Sequence, residues 1–428
     1  MFAQQPDDEA PFSRFIRAEY LYGNPIPPTE LFPETEPGKA YFLHLGRFYD
    51  TNDPEWAYRT GFTRTGLSLG FTDFGNPEQV GYAYTLMPFM EFNLFGTKRL
   101  KAHGGIGVSY FTEKYEPLKN PHNDAISTQY TWSFRLFLQA SILRNEGFEW
   151  TIGAGYFHHS NGHTKLPNLG LNSLLASTTV QFNYRKNETI SPTSLENEPT
   201  ISMSLKSESI PEKKNYKRTV QNYFSYRQGF GLNALSEEFN GKKLISTTHI
   251  NFGKIYNRTY KFGVGFFYRN YDHYYDYIVN NEALIRELYP YFLENPKAYA
   301  KNYGVSFHAE ILMNHIGIEC NVGFNIYKPF YKIDKMVSSS YTYYIETPDG
   351  FVPIFEYGKL DGEYELKRSI ATRLGLKYYL MPTKEMLKYN MFFSATINAN
   401  AGQADFSEFS VGFVYRYNFK ERADLPVE

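Results

Sequence analysis

The residues able to do chemistry are concentrated in one run, Gly155-Tyr-Phe-His-His-Ser-Asn-Gly-His-Thr-Lys-Leu-Pro-Asn-Leu-Gly-Leu-Asn172. The strand leading into it has Trp150, Ile152, Ala154 and Tyr156 on one face. His158 and Ser160 extend that face, because side chains alternate along a strand. Gly153, Gly155, Phe157 and His159 take the other face. After the loop, Asn172 opens a second strand with Leu174, Ala176, Val180, Phe182 and Tyr184 on its own face, which places it beside the pair at the same height. Three polar side chains on an apolar wall cost free energy unless they bond to one another. A nucleophile, a base and an orienting group meet that requirement. Ser160 would attack an ester carbonyl, His158 would take its proton and return it to the leaving alcohol, and Asn172 would hold the His158 tautomer. Oxyanion donors are expected from the backbone amides of the Asn161–Gly162 turn or from Asn168. A His-x-Ser pair alone is ordinarily two polar residues at a boundary. The parity match to Asn172, the glycine-bearing loop and the outward geometry favour catalysis. His158 and His159 face opposite ways, which a shared zinc does not easily tolerate, so a zinc site is the minor alternative and no metal or cofactor is expected.

The elements that must position these residues share one pattern, alternation with an apolar face. In 130–142, Tyr130, Trp132, Phe134, Leu136, Leu138, Ala140 and Ile142 alternate with Thr131, Ser133, Arg135, Gln139 and Ser141. Near the end, Phe409, Val411, Phe413, Tyr415, Tyr417 and Phe419 alternate with Glu408, Ser410, Arg416 and Asn418. Segments 303–313, 318–327, 366–380 and 389–400 read the same way. Strands of about 10 to 15 residues exceed the usual globular length and suit a tilted membrane span. Aromatic residues make up 18% of the chain, from 38 Tyr and 37 Phe against 3 Trp, which suits aromatic girdles at two lipid–water boundaries. No apolar run is long enough for a helical span. With 44 Lys+Arg against 45 Asp+Glu, the chain lacks the basic excess that nucleic acid requires. The single cysteine, Cys320, rules out an intramolecular disulfide framework. The opening Met-Phe-Ala-Gln-Gln looks like the small-residue end of a cleaved signal peptide.

Connections alternate between short ones, near Phe95–Arg99, Arg144–Gly147 and Asn314–Gly317, and long ones, near 113–127, 161–170, 271–299 and 330–366. Short periplasmic turns and long outer loops are the asymmetry of a membrane barrel. About eight strands precede Arg185 and about eight follow Tyr216. The expected fold is therefore all-β, a transmembrane antiparallel β-barrel of about 14 to 16 strands in one barrel, with two tandem eight-stranded barrels as the alternative. The chain divides into 1–185, carrying the site, a polar periplasmic linker over 186–216, and 217–428 with the long outer loops.

The His158-x-Ser160-Asn161 core followed by Pro167-Asn168-x-Gly170 resembles the lipid A 3-O-deacylase (PagL-type) family. That family includes longer Bacteroidetes proteins labelled acyloxyacyl hydrolases. The resemblance implies an eight-stranded barrel up to about Arg185, in the bacterial outer membrane, with the site at the outer leaflet. Tyr260-Lys-Phe-Gly-Val-Gly-Phe-Phe-Tyr268 and Gly402-Gln-Ala-Asp-Phe-Ser-Glu-Phe-Ser-Val-Gly-Phe413 are similar to the extended form. The family has an acidic third member where this chain has Asn172. In that respect the site is similar to outer-membrane phospholipase A, a calcium-linked dimer with a Ser-His-Asn triad. The resemblance thus implies a carboxylic ester hydrolase acting on outer-leaflet lipid. Lipid A is the expected substrate; phospholipid, with calcium, is the alternative. A different class is a non-catalytic barrel, either a porin-like channel or a surface binder using Tyr271-Asp-His-Tyr-Tyr-Asp-Tyr277 to grip a glycan or cation.

Overall fold

In the computed structural model of the chain, the described residues are 14–27, 32–49, 54–61, 63–184, 216–347 and 350–422. The first strand set is β1 (Arg14–Ile26), β2 (Gly38–Phe48), β3 (Arg64–Asp73), β4 (Tyr82–Asn93), β5 (Leu100–Phe111), β6 (Tyr130–Arg144), β7 (Phe148–Ser160) and β8 (Leu171–Tyr184). These strands form a closed antiparallel barrel in sequence order, completed where β1 pairs with β8 from Arg14↔Tyr184 to Ile26↔Asn172. The short helix α1 (Glu55–Arg59) lies in the β2–β3 connection.

The second set begins with β9 (Arg218–Asn233), β10 (Lys243–Tyr256), β11 (Tyr260–Tyr271), β12 (Lys301–Met313) and β13 (Ile316–Tyr327). A separate hairpin, β14 (Tyr341–Thr347) and β15 (Gly350–Glu356), precedes β16 (Ile370–Tyr379), β17 (Tyr389–Asn400) and β18 (Gln403–Arg422). Apart from that hairpin, these strands close a second barrel through β18 and β9. The barrel class thus holds, but the single barrel gives way to the tandem alternative. The reason is local closure: each set of eight strands satisfies its own edge strands and leaves none open to join the other. The expected linker and the opening residues fall outside the described residues, Tyr216 excepted.

Both lumens are filled. Arg17 pairs with Glu91 at 2.7 Å, Arg135 with Glu19 at 2.8 Å and Arg64 with Glu149 at 2.8 Å in the first barrel. In the second, Arg373 meets Glu319 at 2.5 Å, while Lys261 and Lys377 both meet Glu310 at 2.9 Å. Eight strands leave room for side chains and little more, so these pairs occupy the interior. The outward walls are apolar, with Leu136, Ile152, Leu174, Phe252, Phe307 and Phe409 all exposed. Walls this apolar are fitted to lipid and would aggregate in water.

The long connections form a cap over one end of the second barrel. It contains α2 (Asp272–Val279), α3 (Ala283–Leu288), α4 (Pro296–Tyr299), α5 (Tyr331–Ser338) and α6 (Tyr364–Ser369). Its core joins Leu235, Tyr271, Tyr274, Tyr277, Phe330 and Phe406. In the aromatic run 271–277, Tyr271, Tyr274 and Tyr277 are buried in the cap. Likewise the alternation read over 366–380 becomes strand only at Ile370, because 364–369 is the helix α6.

Candidate active site

β7 delivers His158 and Ser160 to the loop end of the first barrel on its outward face. The ladders fix their neighbours: Ser160 lies opposite Trp132, and His158 lies between Phe134 and Asn172. The expectation that Asn172 sits beside His158 rests on strand parity, and the register places it there. His158 Nδ1 bonds Asn172 Oδ1 at 2.7 Å. If Nδ1 carries the proton and donates to the amide oxygen, Nε2 is the basic nitrogen.

Tyr156, an aromatic of the apolar face by sequence, adds a further polar group to the site. Its hydroxyl donates to the same Asn172 Oδ1, and its ring stacks parallel to that of His158. The two donors together fix the amide oxygen towards the histidine. The signal was available, since Tyr156 lies two residues before His158 on the same face.

Ser160 is buried, and its Oγ accepts hydrogen bonds from Gly162 N–H at 3.1 Å and from Asn168 Nδ2 at 2.9 Å. Two donors occupy both lone pairs of a hydroxyl and leave its proton free to be given away. Ser160 and His158 are not hydrogen-bonded to each other, but both side chains border the space over Gly170. A Cβ placed on Gly170 would lie 3.3 Å from His158 Cε1 and 3.8 Å from Ser160 Cβ. The φ of +75° at Gly170 further favours glycine there.

Of the three expected oxyanion donors, Gly162 and Asn168 point at Ser160 and Asn161 does not. Asn161 N–H donates to Asn168 Oδ1 at 3.0 Å, so it orients the Asn168 amide. Its side chain donates to Lys165 O at 2.7 Å and to Ser127 Oγ at 3.1 Å, and accepts from Thr164 N–H at 3.1 Å. These bonds shape the turn and leave Asn161 no donor for substrate. His159 points inward, bonds Ser133 Oγ at 2.9 Å and packs against Phe74, Phe111 and Phe157.

Ser160, His158 and Asn172 thus gather at the loop end of a barrel whose interior holds ion pairs and whose outer wall is apolar. Residues 39–181 match the family model described as lipid A 3-O-deacylase (PagL). No curated protein matches the chain. Among solved structures, the outer membrane enzyme PagL aligns at 17% identity over 38% of this chain and 97% of that one, with a TM-score of 0.27. An outer membrane channel from Pseudomonas putida F1 aligns at 7% identity over 97% and 100%, TM-score 0.17. A BenF-like porin from Pseudomonas fluorescens Pf-5 aligns at 9% identity over 95% and 97%, TM-score 0.19.

Proposed function

We propose that the chain is a serine esterase of the bacterial outer membrane that removes an ester-linked acyl chain from lipid A. One observation carries the reading: His158, bonded to Asn172, and Ser160, with two hydrogen-bond donors beside its Oγ, both line the space over Gly170 at the loop end of a barrel fitted to lipid. The family match over 39–181, which includes every one of these residues, supports the same reaction.

Ser160 Oγ attacks the ester carbonyl carbon while its proton passes to His158 Nε2. The imidazolium is steadied by Asn172 Oδ1, which accepts from Nδ1–H. As Oγ commits a lone pair to the new C–O bond, Gly162 N–H and Asn168 Nδ2, which bond Oγ beforehand, turn to the oxyanion on the adjoining carbon. Collapse breaks the C–O bond, and the alkoxide leaves with the His158 proton. Water then cleaves the acyl-serine with His158 again as base.

Lipid A is favoured over phospholipid because the loop between Ser160 and Asn172 contains no acidic residue to help hold calcium. The channel reading is disfavoured by lumens filled with ion pairs. The test is product analysis on micelles of lipid A mixed with phospholipid, with and without a chelator. Acyl release from lipid A that ignores the chelator is expected. Calcium-dependent release from phospholipid alone would overturn the substrate assignment, and ion conductance without ester cleavage would overturn the enzyme.

A further inference from the structure

We propose that the second barrel is a positioning unit of the active site, acting through Asn240 and Ser407 on the loop that carries the oxyanion donors. The proposal rests on the serine esterase reading above.

The loop of residues 161–170 must hold Gly162 N–H and Asn168 Nδ2 on one oxygen. Loops are mobile unless their backbone groups are tied down. The first barrel ties the ends. Asn161 is bonded to Ser127 and Lys165, while Leu169 N–H and Gly170 N–H donate to Asp124 O and Ala125 O, both at 3.0 Å.

The middle is tied from the second barrel. His163 O accepts from Ala234 N–H at 3.0 Å. The Asn240 side-chain amide takes both backbone groups of Leu166, accepting from its N–H at 2.9 Å and donating to its carbonyl at 2.6 Å. This is the two-point pairing that a neighbouring strand would offer. Ser407, on β18, closes the third contact. Its Oγ accepts from the indole of Trp132 at 2.8 Å, and Trp132 is the cross-strand neighbour of Ser160. A Cβ added to Gly162 would run into the same Ser407 Oγ. Gly162 is thus held between the serine it donates to and the wall of the second barrel.

The segment that supplies these ties is itself braced. Leu235 and Phe406 are buried in the cap core, and Phe239 packs its ring against Tyr277. Phe239 N–H donates to Ser236 Oγ at 3.1 Å, closing the turn that presents Asn240. The long outer loops therefore acquire a purpose, which is to stiffen 234–240 so that it can stiffen 161–168. Asn240 bonds none of Ser160, His158 or Asn172, so its loss acts on donor placement and not on substrate contact.

The test uses the full-length protein with Asn240→Ala, Ser407→Ala and the double variant. Misplacing a catalytic group by about 1 Å costs up to about 100-fold, so kcat should fall about 10- to 100-fold. KM should stay within about threefold, because substrate contacts are intact. Asn240→Asp, which keeps the acceptor for Leu166 N–H and loses the donor, should fall between wild type and Asn240→Ala. Hydrogen exchange at residues 161–168 should quicken in the double variant while the barrel strands stay protected. Unchanged exchange there, or wild-type kcat with quickened exchange, would overturn the proposal. Wild-type protein that cleaves no ester would remove the esterase reading, while exchange at 161–168 would still decide whether the second barrel holds the loop.

Discussion

Asn168→Ala isolates one of the two donors on Ser160. In the wild-type protein Asn168 Nδ2 lies 2.9 Å from Ser160 Oγ, and Gly162 N–H lies 3.1 Å from it. The substitution removes the first and leaves the second, because Gly162 is fixed by the backbone and by Ser407. Removing one donor of an oxyanion site costs about 3 to 4 kcal/mol of transition-state stabilisation, a fall of about 10² to 10³ in kcat. A second consequence is structural. Asn168 Oδ1 accepts from Asn161 N–H at 3.0 Å, and losing that partner costs about 1 kcal/mol, confined to the loop. The barrels, which draw nothing from this bond, should remain folded and heat-modifiable. The assay is initial-rate hydrolysis of lipid A in detergent micelles, with kcat and KM separated. The expected result is a large loss in kcat with KM nearly unchanged. Activity within about threefold of wild type, in a folded barrel, would refute the assignment of Asn168 as an oxyanion donor.

Further outcomes follow from the same geometry. Asn172 Oδ1 accepts from Tyr156, bonds His158 and is used as an acceptor, so Asn172→Asp should retain activity while Asn172→Ala should lose about 100-fold or more in kcat; an inactive Asp variant in a folded barrel would count against the orienting role. Tyr156→Phe removes one of the two bonds and should cost less than Asn172→Ala, checked by the same assay. The cap should loosen as pH rises. Asp334, bonded by the Tyr274 hydroxyl at 3.0 Å, has its carboxyl pushed up to about 7 by burial and by nearby Asp405. An acid raised in the folded state is most stabilising while protonated, so its contribution is full below about pH 4 and is lost as pH climbs through about 7. Lys328, pushed down to about 8 by burial, acts only above that window. Hydrogen exchange in α5, corrected for the intrinsic pH effect, should quicken between those limits and flatten in Asp334→Asn; a pH dependence surviving in that variant would assign it to another group.

Much of the barrel was legible because strand alternation is local. The chain shows each span through its own residues, as in Tyr130 to Ile142, and the short turns at Asn314–Gly317 and Arg144–Gly147 mark one rim. The placement of His158, Ser160 and Asn172 came from the same parity and a single loop length. Closure was not legible, because the pairing of Arg14 with Tyr184 joins residues far apart and alternation carries no register. For the same reason nothing near Trp132 announces Ser407, the acceptor for its indole. The residue type of Asn161 fits both an oxyanion donor and a turn former. Only its bonds to Asn168, Ser127 and Lys165 separate the two. Tyr271, Tyr274 and Tyr277 look exposed in a polar loop, and they are buried only because distant cap residues such as Phe330 and Leu235 fold over them.

The central claim is that Ser160 cleaves an ester of lipid A from the lipid-facing wall. The most direct measurement is mass spectrometry of purified lipid A after incubation with wild-type protein and with Ser160→Ala. Wild type should yield lipid A lighter by one ester-linked acyl chain, with the matching free fatty acid. Ser160→Ala, still a heat-modifiable barrel, should leave the lipid intact over the same time. Deacylation by the folded Ser160→Ala variant, or intact lipid A after incubation with wild type, would contradict the account.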